Sequence, residues 1–104
     1  MAQFSVHRNP SADTASWAPY LLVLQNDLLS ELSTVVVAPL IHAEAFGRPA
    51  HILNPAFTIE GHPVVLSTAE LAGVSRTTLG EELLSLGGER NTIMAACDFL
   101  FTGI

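Results

Sequence analysis

The C-terminal segment has the pattern that most restricts the fold of this chain. Its apolar residues recur at spacings of four, three and four: Ile93, Cys97, Leu100 and Ile104. This is the period of an amphipathic α-helix. At about 100° per residue, four residues fall on the diametrically opposite face: Asn91, Ala95, Asp98 and Thr102. Gly87 and Gly88 interrupt the chain just before, so we expect one terminal helix after them.

Short strands are predicted ahead of this helix. The alternating segment Gln3–His7 predicts a half-buried strand with Phe4 and Val6 inward. The β-branched segment Thr34–Ala38 predicts another strand, which ends at Pro39 because proline cannot donate to a ladder.

A third strand is predicted over Tyr20–Gln25, which is apolar on both faces and ends at Asn26 and Asp27. Such a strand is covered on both sides. Hydrophobic residues make up 49% of the chain and its mean hydropathy is +0.42, more apolar side chain than a small monomer easily hides. We therefore expect a homodimer.

A hairpin is predicted where Pro55–Glu60 and His62–Leu66 flank Glu60-Gly61. The remaining segments are predicted as follows: an exposed loop at Arg8–Pro19, irregular structure at Leu40–Leu53, one helical turn at Ser67–Gly73, a short extended piece at Arg76–Gly80 and a short helical piece at Glu81–Leu84. The 104 residues suffice for one domain, residues 1–104, and the pattern predicts a small β-barrel or sheet closed by a helix.

The charge balance argues against nucleic-acid binding. The chain has ten acidic residues, four scattered arginines and no lysine, for a net charge of −6. Phosphate-backbone binding needs clustered cations. The lone Cys97 cannot form an internal disulfide, which fits a reducing compartment. With no signal peptide and a longest apolar run of only Tyr20–Leu24, we expect a cytoplasmic protein without a membrane segment.

Catalytic and metal-binding motifs are missing from the sequence. The four histidines are dispersed, and Glu81-Glu82 are adjacent residues that do not face one another in a helix. No glycine-rich loop is followed by lysine. The sequence predicts a binding protein rather than an enzyme, with no cofactor and no metal.

Five segments, in this order and spacing, resemble the CcdB family of plasmid-addiction toxins: Gln3-Phe4-x-Val6, Gln25-Asn26-Asp27-Leu28-Leu29, Pro39-Leu40, Leu79-Gly80-Glu81-Glu82 and Phe101-Thr102-Gly103-Ile104. The resemblance implies a mainly β fold, an SH3-like half-open barrel of short antiparallel strands with one C-terminal helix, shared with MazF-type toxins. It also implies a homodimer that traps the A subunit of DNA gyrase in its DNA-cleaved state. A co-encoded, disordered antitoxin resembling CcdA would neutralise it.

The family's target contacts fall on the outward helix face, the last residues and the nearby turn. The matching positions here are Asn26, Asp27, Asn91, Ala95, Asp98, Thr102, Gly103 and Ile104. Thr102 stands where the family has a tryptophan that stacks on a gyrase arginine. This departure leaves two alternatives open: an interaction protein of the same fold with a diverged target or reduced toxicity, and, less favoured, a MazF-like endoribonuclease.

The antitoxin is expected along the irregular segments Arg8–Pro19 and Leu40–His51, away from the helix face. Irregular surface segments often bind partners. We expect this peptide to bury Trp17 and Phe46 and to contact Arg48.

Overall fold

The protein is described over residues 2–103 by a computed structural model in which one seven-stranded sheet curls into a half-open barrel. Its strands are β1 Ser5–Arg8, β2 Tyr20–Val23, β3 Thr34–His42, β4 Ala56–Ile59, β5 His62–Leu66, β6 Ala72–Ser75 and β7 Glu82–Ser85. They pair antiparallel in the order β4-β5-β3-β2-β1-β7, and β6 pairs with β3. Helix α1 spans Ala43–Phe46 and helix α2 spans Arg90–Thr102. The predicted mainly β fold with one C-terminal helix is confirmed.

Helix α2 contributes to the main core through Ile93, which is fully buried. The strands supply the large side chains around it: Val6, Tyr20, Leu22, Leu40, Ile59, Val64 and Leu66. Ala96 is also fully buried, whereas Cys97 and Leu100 are half-buried, so the helix is rotated toward Ala96 relative to the predicted stripe. The opposite face is exposed as predicted. Ile104 lies outside the described residues.

Strand β3 does not end at Pro39, contrary to the prediction. Its first part pairs with β6 and its last part with β5, and Pro39 lies between the two partners. On the side of β3 that faces β5 and β6, the Pro39 carbonyl accepts a hydrogen bond from the Ser67 amide at 2.9 Å. Because the missing proline N–H falls where the partner changes, no ladder bond is lost.

Strand β1 is more buried than the predicted alternation. Phe4 and Val6 point inward as expected, but Ser5 and His7 are also buried. The two ring nitrogens of His7 lie 2.9 Å from Ser5 Oγ and 3.1 Å from the Gly80 carbonyl oxygen. These hydrogen bonds compensate for the burial of the imidazole, which the predicted alternation places on the face opposite Phe4 and Val6.

Two predictions after β6 are wrong. Arg76–Gly80 is not extended but begins with a 3-10 turn, and Glu81–Leu84 is not helical but enters strand β7. Strand β7 pairs with β1, where Val6 lies opposite Leu84. A pairing partner far away in sequence therefore overrides the local helix preference of the glutamates.

The segment Leu40–Leu53, predicted as irregular, begins inside β3 and contains helix α1. Of the segment Ser67–Gly73, predicted as one helical turn, only Thr68–Glu70 forms a turn, of the 3-10 type, and Ala72 and Gly73 belong to β6. The hairpin is confirmed, with Glu60 and Gly61 both at positive φ (53° and 79°) as its two-residue turn requires. Tyr20–Val23 forms a strand with only Leu21 partly exposed, two residues shorter than the predicted Tyr20–Gln25. Residues 9–19 form a loop as predicted, but Arg8 belongs to β1 and Ala18 is buried.

Candidate partner-binding surfaces

Helix α2 lies between two open grooves, and four of the residues predicted to contact the target line them, whereas Asp27, Thr102 and Gly103 line neither. We call the first the loop groove, about 630 Å³ in volume, and its lining residues are Pro49, Ala50, His51, Ile52, Asn54, Pro55, Ala56, Asn91, Thr92 and Ala95. We call the second the turn groove, about 450 Å³ in volume, and its lining residues are Gln3, Leu24, Gln25, Asn26, Leu29, Val36, Leu71, Met94, Cys97, Asp98 and Phe101. Asn91 and Ala95 thus face one groove, and Asn26 and Asp98 the other.

The wall of the loop groove is a short self-closed loop. The Ala50 amide donates to Asn54 Oδ1 and the Asn54 amide donates to the Ala50 carbonyl, both at 2.9 Å. Within this loop, Ile52 adopts φ 72°, a left-handed conformation that strains a β-branched residue, and its side chain is 46% exposed. The sequence gives no sign of Ile52, because neither composition nor period marks a strained backbone position.

The turn that carries Asn26 and Asp27 is fixed by side-chain caps. Asn26 Oδ1 accepts from the Leu28 amide at 2.9 Å, and Asp27 Oδ1 accepts from the Gln3 amide at 2.7 Å. Arg76, which no sequence pattern marks, donates to the carbonyls of Leu29 and Leu32. The two predicted contact residues are therefore held in place by hydrogen bonds to neighbouring segments.

The helix ends in a glycine cap. Gly103 adopts φ 76° and its amide donates to the Phe99 carbonyl at 3.0 Å, a left-handed termination that glycine favours. The Thr102 hydroxyl donates to the Asp98 carbonyl at 2.7 Å. Thr102 and Gly103 are exposed beside Phe101, whose side chain is 69% exposed.

Cys97 lines the turn groove but is poorly suited to nucleophilic chemistry. Burial, and secondarily the nearby Asp98 carboxylate, raise the pKa of the Cys97 thiol. A raised pKa keeps the thiol protonated at neutral pH, and the thiolate is the reactive form.

Two of the three predicted antitoxin contacts meet in a third groove, the Trp17 groove. It is about 530 Å³ in volume, and its lining residues are Trp17, Ile41, Ala45, Phe46, Leu53, Asn54, Ser67, Ala69 and Glu70. Arg48 is exposed but does not line it. Asn54 borders both this groove and the loop groove, so the two are neighbours on the surface.

Charged groups of both signs cluster at the hairpin turn. Arg8 forms ion pairs with Glu60 at 3.0 Å and with Glu81 at 3.2 Å, and the Tyr20 hydroxyl donates to Glu60 at 3.0 Å. Burial and then the hydrogen bond to Glu60 raise the pKa of Tyr20, and the carboxylates raise the pKa of Arg8. Each group is satisfied by a neighbour, as in a structural network.

Within residues 2–103, no set of three or more histidine, cysteine, aspartate or glutamate side chains is placed to hold a metal ion. None of the helices in this part of the chain has the length and apolar character needed to cross a membrane.

The fold and these surfaces define a small half-barrel domain that presents its C-terminal helix between open grooves. Among solved structures it is similar to an endoribonuclease in complex with its cognate antitoxin from a mycobacterial species (TM-score 0.74, 14% identity, 96% of this chain and 93% of that one). It is also similar to an endoribonuclease from a mycobacterial species (TM-score 0.73, 14% identity, 96% of this chain and 89% of that one). No curated protein sequence matches the chain. The chain belongs to the CcdB family, described as CcdB protein, which matches residues 3–103.

Proposed function

We propose that this protein is the toxin of a type II toxin–antitoxin pair, and that it poisons DNA gyrase by trapping the cleaved gyrase–DNA complex. The main support is the family match over residues 3–103, nearly the whole chain. The exposed face of α2 is free to contact a partner, since Asn91, Ala95 and Asp98 are all exposed. A gyrase target implies a cytoplasmic protein that contributes binding surface rather than catalytic groups.

Thr102 is the position at which this proposal is most easily tested. It is exposed at the last turn of α2, so a larger side chain would extend into solvent. Arg–aromatic stacking contributes about 1–2 kcal/mol when desolvated. Restoring the family's residue with Thr102→Trp should therefore strengthen gyrase trapping by roughly tenfold, the equivalent of ~1.4 kcal/mol.

The experiment adds purified protein to gyrase and supercoiled plasmid and quantifies the trapped linear DNA. Thr77→Trp is the matched control, because Thr77 is another exposed threonine on a different element. An increase in trapped linear DNA for Thr102→Trp but not for Thr77→Trp supports contact with gyrase through the end of α2. No linear DNA with either the native chain or Thr102→Trp contradicts gyrase poisoning and favours a diverged target.

Truncation tests the contribution of Gly103 and Ile104. A chain that ends at Thr102 should melt almost unchanged, because Gly103 is exposed, but it should lose trapping, because the family contacts its target through the last residues. A second chain that ends at Gly103 keeps the helix cap. Comparing the two truncated chains therefore separates the effect of losing the cap from the effect of losing Ile104. Full trapping by both chains would mean that this toxin does not use its C-terminus on gyrase.

The second proposed partner is a co-encoded CcdA-like antitoxin that occupies the Trp17 groove. Trp17 is 40% exposed and Phe46 is half-buried at the same groove, which gives a disordered peptide two apolar anchors. Phe46→Ala combined with Arg48→Glu should weaken antitoxin binding in calorimetry. Arg90→Glu is the control for charge alone, because Arg90 is exposed at the start of α2 and lies outside both predicted antitoxin segments. Unchanged affinity in the double variant would remove the segment Leu40–His51 from the site.

The third proposed partner is a second copy of the chain, bound through Phe101 at the edge of the turn groove, beside the proposed gyrase contacts Asn26 and Asp98 rather than over them. Phe101 and Leu28, 69% and 92% exposed, are large apolar side chains in contact with water in the isolated chain. Phe101 lines the turn groove together with the apolar residues Leu24, Leu29, Val36, Leu71 and Met94, and an exposed apolar patch of this kind marks a protein interface.

A further inference from the structure

His42 and His62 lie together although they are twenty residues apart in the sequence. Their ring centres are 5.6 Å apart with the ring planes at 75°. The strand register explains the meeting: His42 lies opposite Val64 across the β3–β5 ladder, and His62 is two residues from Val64. Side chains two residues apart point to the same face of a sheet, so both imidazoles are on one face.

This arrangement suits a shared metal ion. Two imidazoles bound to one Zn²⁺ at about 2.0–2.1 Å have their ring centres roughly 5 Å apart. The observed separation is therefore close to that of a chelating pair. His62 is exposed, and the last torsion of histidine has a broad distribution, so the ring is free to rotate and turn a nitrogen toward a point shared with His42.

The other two histidines do not offer such a site. Both ring nitrogens of His7 have hydrogen-bond partners within the barrel. His51 is exposed and alone on the rim of the loop groove. Sequence spacing did not reveal the pair, because the ladder register alone joins His42 to His62.

We propose that His42 and His62 bind one divalent transition-metal ion, of the Zn²⁺ or Cu²⁺ class that prefers imidazole, with water in the remaining positions. His42 is the last residue of β3 and immediately precedes α1, so the ion would fasten the start of α1 to β5. His42 belongs to the segment Leu40–His51 proposed for the antitoxin, and its amide donates to the Trp17 carbonyl at 2.9 Å. Neither imidazole lines the Trp17 groove, so the ion would lie beside the proposed antitoxin surface rather than within it.

The test is calorimetric titration of the full chain with Zn²⁺ alone. The expected result is one ion per chain, with His42→Ala and His62→Ala each weakening binding by about tenfold or more, ~1.4 kcal/mol. His51→Ala is the matched control and should bind as the native chain does. Native-like affinity in His62→Ala, or an equal loss in His51→Ala, would overturn the proposal.

Electron paramagnetic resonance spectra of the Cu²⁺-bound chain provide a second readout that does not depend on affinity. The native chain should show hyperfine coupling to two imidazole nitrogens, and His62→Ala should show coupling to one. Because His62 is exposed, its alanine variant should keep the native circular dichroism, so it remains informative even if His42→Ala fails to fold. A single coupled nitrogen in the native chain would also overturn the proposal.

Discussion

Gly80 is the glycine at which the barrel leaves no space for a side chain. A Cβ added there would lie 2.5 Å from the Arg8 carbonyl oxygen, and backbone atoms cannot yield as a flexible side chain can. Gly80→Ala therefore forces β1 away from the segment before β7. We expect a loss of about 1–3 kcal/mol in the free energy of unfolding, the usual cost of overpacking, measured by urea denaturation.

Gly73→Ala is the control for this substitution. Gly73 lies in β6, and nothing comes within 4 Å of a Cβ built on it. Because alanine restricts the unfolded chain more than glycine, this variant should be neutral or gain up to about 1 kcal/mol. Equal stability of the two variants would show that the close approach at Gly80 is relieved at no cost.

Other residues have roles that no local pattern could reveal. The sequence marks Glu60-Gly61 as a turn, but it does not show that Arg8 and Tyr20 bind the Glu60 carboxylate. The burial of His7 also depends on the Gly80 carbonyl, far along the chain. Residue roles of this kind depend on contacts between remote segments, so sequence period cannot predict them.

The turn that presents Asn26 is an element with little packing of its own. The 3-10 turn Asp27–Leu29 has no buried residue, and the Arg76 guanidinium bonds to the Leu29 and Leu32 carbonyls. We expect Arg76→Met to speed amide hydrogen exchange in residues 27–33 by roughly 5- to 30-fold, which corresponds to one or two kcal/mol.

Arg48→Met is the matched control for the loss of charge, because Arg48 is exposed and away from this turn. It should leave exchange in residues 27–33 unchanged. If Arg76→Met also leaves it unchanged, the caps from Asn26 and Asp27 suffice to hold the turn. If the turn does contact gyrase, the same substitution should weaken trapping without lowering the melting temperature much.

At the element scale, local elements were predictable and remote pairings were not. The period of α2 and the turn residues of the hairpin are local signals, and both elements are present. Strand β7 is opposed by local preference and forms only because β1 pairs with it. Pro39 lies inside β3 because that strand exchanges partners there, an event with no signal in the strand's own sequence. The two grooves beside α2 are lined by segments remote from it in the sequence, so the exposed helix face was predictable but its division between two grooves was not.

Association of two chains is a property of the whole molecule. Phe101, at the edge of the turn groove, is 69% exposed in the single chain. We expect sedimentation at micromolar concentration to show a dimer, and Phe101→Asp to shift it toward the 11.1 kDa species. A charged residue in the buried centre of an interface is costly unless it is paired.

Ile52→Asp serves as the control, since Ile52 is similarly exposed but borders the loop groove. It should remain dimeric. Dimer formation also predicts slower alkylation of Cys97 in the native chain than in Phe101→Asp, because Cys97 lines the turn groove. A native chain that sediments only as a monomer would contradict the proposed homodimer.

The charge of the whole molecule favours the proposed gyrase poison over an RNA-cleaving toxin of the same fold. At −6 the protein repels a phosphate backbone, and its few cations are mostly engaged. Arg8 pairs with two glutamates, Arg76 binds two carbonyls, and Arg90 donates to Gln3 while lying over the Phe4 ring. Within residues 2–103, Arg48 alone among the arginines has neither an ion pair nor a side-chain hydrogen bond, and one cation does not make a phosphate-binding surface.

We therefore expect no retardation and no cleavage of single-stranded RNA at micromolar protein, even at about 50 mM salt, where electrostatic binding is strongest. An endoribonuclease of the same fold is the positive control, and the measurement is a mobility shift followed by denaturing electrophoresis. RNA binding that weakens steeply as salt rises would reveal several phosphate contacts and contradict this expectation. Cleavage of the RNA in the same assay would mean that the protein is a nuclease and not a gyrase poison. A poison acts by binding its target and needs no group that breaks a phosphodiester bond.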